Sequence, residues 1–250
     1  MEIGTSLSFP FRGEAWPRRL LAGAALELTP VLLSIPVLLI AADSFHRRAP
    51  LVWGGLFLLL FLALASRLVL LGYLRRVVQG TLAGSQEGLP PWNRLDEDLL
   101  EGLKLWLVAL GLLLPGIGVT TALVVLAGIA AGQWEAWLVV VLVGPPAVLA
   151  TAIYLPAGLL AALAAGEAGA AFHFRSVVRH LGTVAGPYLL AALVAVTAEI
   201  LAQLGLVLVC VGIFPARFLA HCIGARAFAS AWRSGMEPGV ERVIQSPEGE

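Results

Sequence analysis

Long apolar runs alternate with short polar stretches along the chain, and the runs exceed the length that a strand or an ordinary amphipathic helix uses. A membrane-spanning helix needs about 20 mostly apolar residues to cross roughly 30 Å of hydrocarbon. Six segments reach that length: residues 20–42, 51–74, 103–131, 136–165, 183–203 and 205–224. Asp43-Ser44-Phe45-His46-Arg47-Arg48 closes the first, and a long polar loop up to Gly102 follows the second. Gly132-Gln133-Trp134-Glu135 forms a tight connection between the third and fourth. The last two divide one apolar block, Thr183 to Gly224, near Gln203-Leu204-Gly205, with one span plus a re-entrant segment as the other reading. The pattern predicts an all-α fold: a polytopic membrane helix bundle of about six transmembrane helices. It forms one domain over residues 1–235, with a flexible tail at 236–250.

Composition points the same way. The chain is 59% hydrophobic and 13% charged, with a mean hydropathy of +0.91, whereas soluble domains carry about 25% charged residues. Too few polar side chains are present to cover a water-exposed surface. Met1 to Phe11 is neither basic nor continuously apolar, so the first run reads as a retained span rather than a cleaved signal. Cys210 and Cys222 both lie in apolar sequence and imply no disulfide framework.

Net charge is zero, but the charges are unevenly placed. With six spans, the side holding the N-terminus carries Arg12, Arg18, Arg19, Arg75, Arg76, Arg94, Lys104, Arg175, Arg179, Arg226, Arg233 and Arg242. The opposite side carries Arg47 and Arg48. Arginine and lysine accumulate on cytoplasmic loops. Both termini are therefore expected in the cytoplasm.

An amphipathic stretch with aromatic and arginine residues precedes each odd-numbered span. Phe9, Phe11, Arg12 and Gly23 repeat with identical spacing as Phe172, Phe174, Arg175 and Gly186. Trp92-Asn93-Arg94 leading to Lys104 is a looser middle copy. Three tandem units, each an interfacial helix plus a helical hairpin, account for this spacing. Compositional likeness between cytoplasmic flanks of membrane helices accounts for it equally.

Gly72-Tyr73-Leu74-Arg75-Arg76, Leu89-Pro90-Pro91-Trp92, Asp98-Leu99-Leu100-Glu101-Gly102-Leu103-Lys104 and Gly212-Ile213-Phe214-Pro215 form a set. From about Phe9 to Trp232 the chain resembles a family of uncharacterised prokaryotic multi-pass membrane proteins, classed as a domain of unknown function. It is similar, more distantly, to membrane domains attached to glycerophosphodiester phosphodiesterases. The resemblance implies a prokaryotic cytoplasmic (inner) membrane protein and brings no activity, cofactor or catalytic residue with it.

Ionisable residues inside spans are costly and often functional. Glu27 lies about seven residues into the first span and Arg67 about seven from the end of the second, both roughly 10 Å deep at 1.5 Å per residue. Arg217 lies at a similar depth in the sixth. A structural pair of Glu27 with Arg67 or Arg217, snorkelling of each arginine to phosphates, and a transport-coupling role are the three readings. Glu199 and Gln203 share a helix face near the outer end of the fifth span, either as a relay or as a plain helix end. Pro115-Gly116 and Gly144-Pro145-Pro146 are expected to break the backbone ladder. Small residues at helical spacing, such as Gly158 with Ala162 and Gly166, fit close helix packing.

Other chemistry is sparse. His173 and His180 accompany Arg175 and Arg179 on an amphipathic stretch that reads as a headgroup-facing surface, and His221 beside Cys222 gives no metal spacing. Asp96-Glu97-Asp98 with Glu101 fits a helix N-terminus. No nucleophile elbow, phosphate loop, zinc motif or nucleic-acid patch is present, so no catalysis, metal or cofactor is expected. The expected partner is the lipid bilayer, together with a membrane-protein partner or further copies of the chain. A non-enzymatic membrane component or complex subunit is the leading expectation, and a small permease for an amphipathic or lipid-like solute is the alternative.

Overall fold

The computed structural model describes residues 3–44, 49–85, 88–130, 133–205 and 212–236. Among these residues every regular element is helical. A short α1 (Ile3–Ser8) and a 3-10 turn (Phe9–Phe11) lead into α2 (Trp16–Ser44), α3 (Ala49–Leu82), α4 (Leu95–Ala130) and α5 (Gln133–Ala165). A second 3-10 turn (Ala168–Phe172) precedes α6 (Phe174–Thr183), α7 (Ala185–Leu204) and α8 (Ile213–Arg233). The expected turn at Arg47-Arg48 and the tail from residue 237 onward lie outside the described residues.

The long helices overrun the expected spans. With 34 residues in α3 and 36 in α4, a rise of 1.5 Å each gives lengths of about 50 Å. That exceeds a hydrocarbon core of roughly 30 Å. The excess absorbs the middle amphipathic stretch, because Leu95–Lys104 opens α4, and the end of the first: Trp16–Arg19 is the first turn of α2, with Pro17 where a missing N–H costs nothing, while Phe9–Phe11 stays a separate 3-10 turn. Only the third stretch is a helix of its own. α6 ends at Thr183 and α7 starts anew at Ala185, with Pro187 in its first turn, where a missing N–H costs little.

The expected spans at 183–203 and 205–224 correspond to α7, which ends at Leu204, and to α8, which begins at Ile213, while residues 206–211 lie outside the described residues. A Cβ on Gly205 would stand 2.8 Å from the Gly212 carbonyl oxygen, so the residues flanking the end of α7 and the start of α8 approach closely. The expected breaks at Pro115 and Pro145-Pro146 do not occur, because α4 and α5 continue through these prolines and Pro156. Each proline deletes one backbone bond, and the bonds on either side persist where unpaired backbone groups are expensive.

Among the described residues four helices are long and apolar enough to cross a membrane: Trp53–Leu82, Leu95–Ile129, Val140–Ala165 and Ala185–Leu204. This is the make-up of a membrane protein. α8 falls short because Arg217, His221 and Arg226 interrupt it.

The chain forms two compact units. The first, residues 1–103 with 186–250, contains α1, α2, α3, the opening turns of α4, α7 and α8. Phe9, Leu70, Tyr73, Val77, Leu89, Phe218 and Cys222 make its main core. Ala191, Val194, Ile223, Ala227 and Ala231 pack α7 on α8, where small residues let the backbones approach. The second unit, residues 104–185, contains the rest of α4 with α5 and α6. Its core is Val108, Ala162 and Ala171, and the Tyr154 hydroxyl donates to the Ala171 carbonyl at 2.8 Å.

Burial along α3, α4 and α5 is concentrated at one end. Leu68, Leu70, Tyr73, Val77 and Leu82 of α3, Val108 of α4, and Ala157, Leu160 and Ala162 of α5 are buried. Toward the other end Phe57, Leu60, Ile117, Ile129, Trp137 and Leu142 are exposed.

Candidate functional site

The first unit holds a row of polar side chains between apolar helices. Glu27 of α2 has a side chain only 2% exposed, and its Oε1 accepts from the Arg67 guanidinium of α3 at 2.8 Å. The same oxygen lies 3.4 Å from Nδ1 of His221 on α8, a close contact without the geometry of a full hydrogen bond. One helical turn earlier on α8, Arg217 Nε lies 3.4 Å from Glu199 Oε1 of α7. Gln203, one turn beyond Glu199, donates to that same oxygen at 3.5 Å. A cavity of about 10 Å³ beside Glu27 and Arg67, lined also by Pro30 and Ser66, has the size of one water molecule.

Helix spacing explains the row. Arg217 and His221 are four residues apart, so both project from one face of α8. Phe218 between them packs on Gly23 of α2, where a Cβ would fall 2.5 Å from the ring. Only glycine permits that approach, and it brings α8 near Glu27. Two carboxylates and two guanidiniums balance the row. Balance and mutual pairing lower the penalty for charge in a low-dielectric interior.

The structure brings Glu27 together with Arg67, and brings Arg217 to Glu199 instead of Glu27. Sequence reading weighed His221 only as a metal ligand and missed its approach to Glu27. Its position four residues after Arg217 was the available signal, but its partner lies on a helix far away in the chain.

A second network fastens the loop between α3 and α4 to this unit. Tyr73 stacks on Trp92 with ring centroids 3.9 Å apart, and both rings lie against Phe218. The Tyr73 hydroxyl donates to the Pro90 carbonyl at 2.9 Å, Arg76 to the Pro91 carbonyl at 2.8 Å, and the Trp92 indole to the Arg19 carbonyl at 2.8 Å. Arg19 in turn donates to the Leu89 carbonyl. Asp98, expected as a helix-start charge, pairs with Arg76 at 2.5 Å, and Glu101 pairs with Arg75 at 3.4 Å. Among the described residues no group of three or more His, Cys, Asp or Glu side chains is placed to hold a metal ion.

Residues 55–211 match the model of a family described as a protein of unknown function, DUF4013. That stretch contains Arg67, Glu199, Gln203 and the Tyr73–Trp92 loop, whereas Glu27, Arg217 and His221 lie outside it. Neither a curated protein nor a solved structure matches the chain.

Proposed function

For this chain, which belongs to the DUF4013 family of unknown function, we propose the role of a non-enzymatic component of the prokaryotic cytoplasmic membrane. In this proposal six spans place both termini in the cytoplasm, and the protein works as a subunit of a larger membrane complex or as a bilayer organiser. The observation that carries it is the apolar surface of α4 and α5. Ile117, Val119, Ile129, Trp137, Val141 and Leu142 are exposed and can be satisfied only by lipid or by another membrane protein. The arginine distribution supports the orientation. Three tandem repeats, and kinship with membrane domains attached to glycerophosphodiester phosphodiesterases, belong to the same proposal.

Native mass spectrometry of the protein extracted gently from its own membranes tests this role. A stoichiometric protein partner or a defined homo-oligomer is expected. A lone chain retaining one defined solute would refute it.

The polar row favours a second reading, a small permease for an amphipathic or lipid-like solute. The unbroken α4 and α5 remove one of the two reasons for it and leave the buried charges. Exchanging the charges, Glu27→Arg with Arg67→Glu, separates the readings. Stability restored in the double variant marks a structural pair, and stable single variants with lost flux mark transport.

A further inference from the structure

The second unit has a half-open cavity of about 450 Å³ between α4, α5 and α6. Its wall includes Leu112 and Pro115 of α4, Ile153 and Tyr154 of α5, and Phe174 and Val178 of α6. The lining is almost wholly apolar, and the volume lies within the range of small-molecule sites. Leu181 completes the α6 wall, so Phe174, Val178 and Leu181 form one stripe at helical spacing.

Arg175 and Arg179 each follow a stripe residue by one position, about 100° around the helix from it, on the polar face beside the cavity wall rather than within its lining. Both are exposed, and they lie four residues apart on a common face. Neither has an ion-pair partner among the described residues. Tyr154 and Phe174, with ring centroids 4.8 Å apart, stand where the exposed apolar length of α5 gives way to its packed end. Amphipathic aromatics favour that level of a membrane.

We propose that this cavity binds one anionic phospholipid, with an acyl chain along the Phe174–Val178–Leu181 stripe and the headgroup phosphate on Arg175 and Arg179. An apolar slot alone would accept any acyl chain. Two unpaired guanidiniums beside its wall select a negative head, because arginine presents a fork of donors that matches phosphate oxygens. The inference rests on the interfacial placement of α6 at the cytoplasmic face, the leaflet surface that carries negative potential.

The test titrates detergent-purified full-length protein with phosphatidylglycerol and with phosphatidylcholine of the same acyl chains, counting bound lipid by native mass spectrometry. The first phosphatidylglycerol is expected to bind about 30-fold more tightly, the factor that two surface arginines supply. Arg175→Gln with Arg179→Gln lowers phosphatidylglycerol to the phosphatidylcholine level and leaves phosphatidylcholine unchanged, which also shows that the variant is folded. Ala150→Trp, at an exposed position of the cavity wall, weakens both lipids. Equal binding of the two lipids, a headgroup preference that survives loss of both arginines, or an Ala150→Trp variant with undiminished binding overturns the proposal. Loss of the preference in excess inorganic phosphate without loss of bound lipid is expected, whereas phosphate binding with no lipid retained overturns it. Carbonate extraction distinguishes the two levels of failure. A chain that resists extraction yet shows no lipid preference refutes the site alone, and a chain released by carbonate refutes the membrane reading beneath it.

Discussion

Replacing Gly102 by alanine tests the close crossing of α3 and α4 that anchors the loop between them. A Cβ at Gly102 would stand 1.7 Å from the Leu68 carbonyl oxygen, and one at Gly72 would stand 1.9 Å from the Asp98 carbonyl oxygen. Both obstacles are backbone, so no side chain can swing aside. Ordinary contact begins at 3.4 Å, so the helices must separate by about 1.7 Å at Gly102. Overpacking of this kind costs about 1–3 kcal/mol. A separation of that size also opens the Arg76–Asp98 pair, whose carboxylate is only 3% exposed, so the upper end of the range is expected. For a chain of this length each kcal/mol shifts the melting midpoint by about 2–4 °C, giving a loss of about 6–12 °C. The assay is thermal unfolding in detergent, followed by tryptophan fluorescence because Trp92 reports on the loop. Gly118→Ala in the same helix is the control. Nothing lies within 4 Å of its Cβ position, and a change of up to about +1 kcal/mol is expected from helix propensity. A Gly102→Ala midpoint equal to that of the wild type would refute the crossing.

Removing Arg67 strands a carboxylate 2% exposed, while removing Glu27 strands a guanidinium that is 49% exposed and free to reach the membrane surface. Arg67→Gln should therefore cost about 3–5 kcal/mol and Glu27→Gln about 1 kcal/mol or less. Equal losses in denaturant titrations would contradict the asymmetric burial. Trp92→Ala should cost about 3–5 kcal/mol by removing the stacked ring and should expose the loop to protease. Trp92→Phe keeps the stack and gives up only the bond to the Arg19 carbonyl, about 1 kcal/mol, so matching protease sensitivity in the two variants would argue against the stacking. Gly84 has φ +81°, where a Cβ costs about 1–2 kcal/mol, so Gly84→Ala should lower the unfolding midpoint while Gly84→Asn lowers it less.

The helices were legible in the sequence because apolar length needs no knowledge of tertiary partners. Their ends were not. Trp16–Arg19 and Leu95–Lys104 look like surface helices by charge, yet each continues into the apolar helix that follows it, and only α6 is an amphipathic segment with a helix to itself. Partners were legible where geometry left few choices. Glu27 and Arg67 sit at matched depths of adjacent helices and meet. Arg217 sits at the same depth, but depth does not say which way it faces, and it reaches Glu199. Asp98 shows the same limit: its place at a helix start accounts for a negative charge, while its actual partner Arg76 lies at the far end of another helix.

Charge is handled differently in the two units, and this bears on what each can do. In the first unit Arg67, Arg75, Arg76 and Arg217 all have carboxylate partners. A partnered charge in a low-dielectric interior fixes a geometry, because moving either member leaves the other desolvated and alone. Together with the Tyr73–Trp92–Phe218 stack, such pairing suits a rigid anchor. The second unit encloses almost no polar surface, and its Arg175 and Arg179 have spent none of their hydrogen-bonding capacity on the protein. An apolar cavity exchanges its contents at little electrostatic cost, and unpaired surface arginines respond to whatever anion the membrane offers. The proposed lipid site is therefore expected to answer to residues 104–185, and variants at Arg175 and Arg179 should change which lipids co-purify.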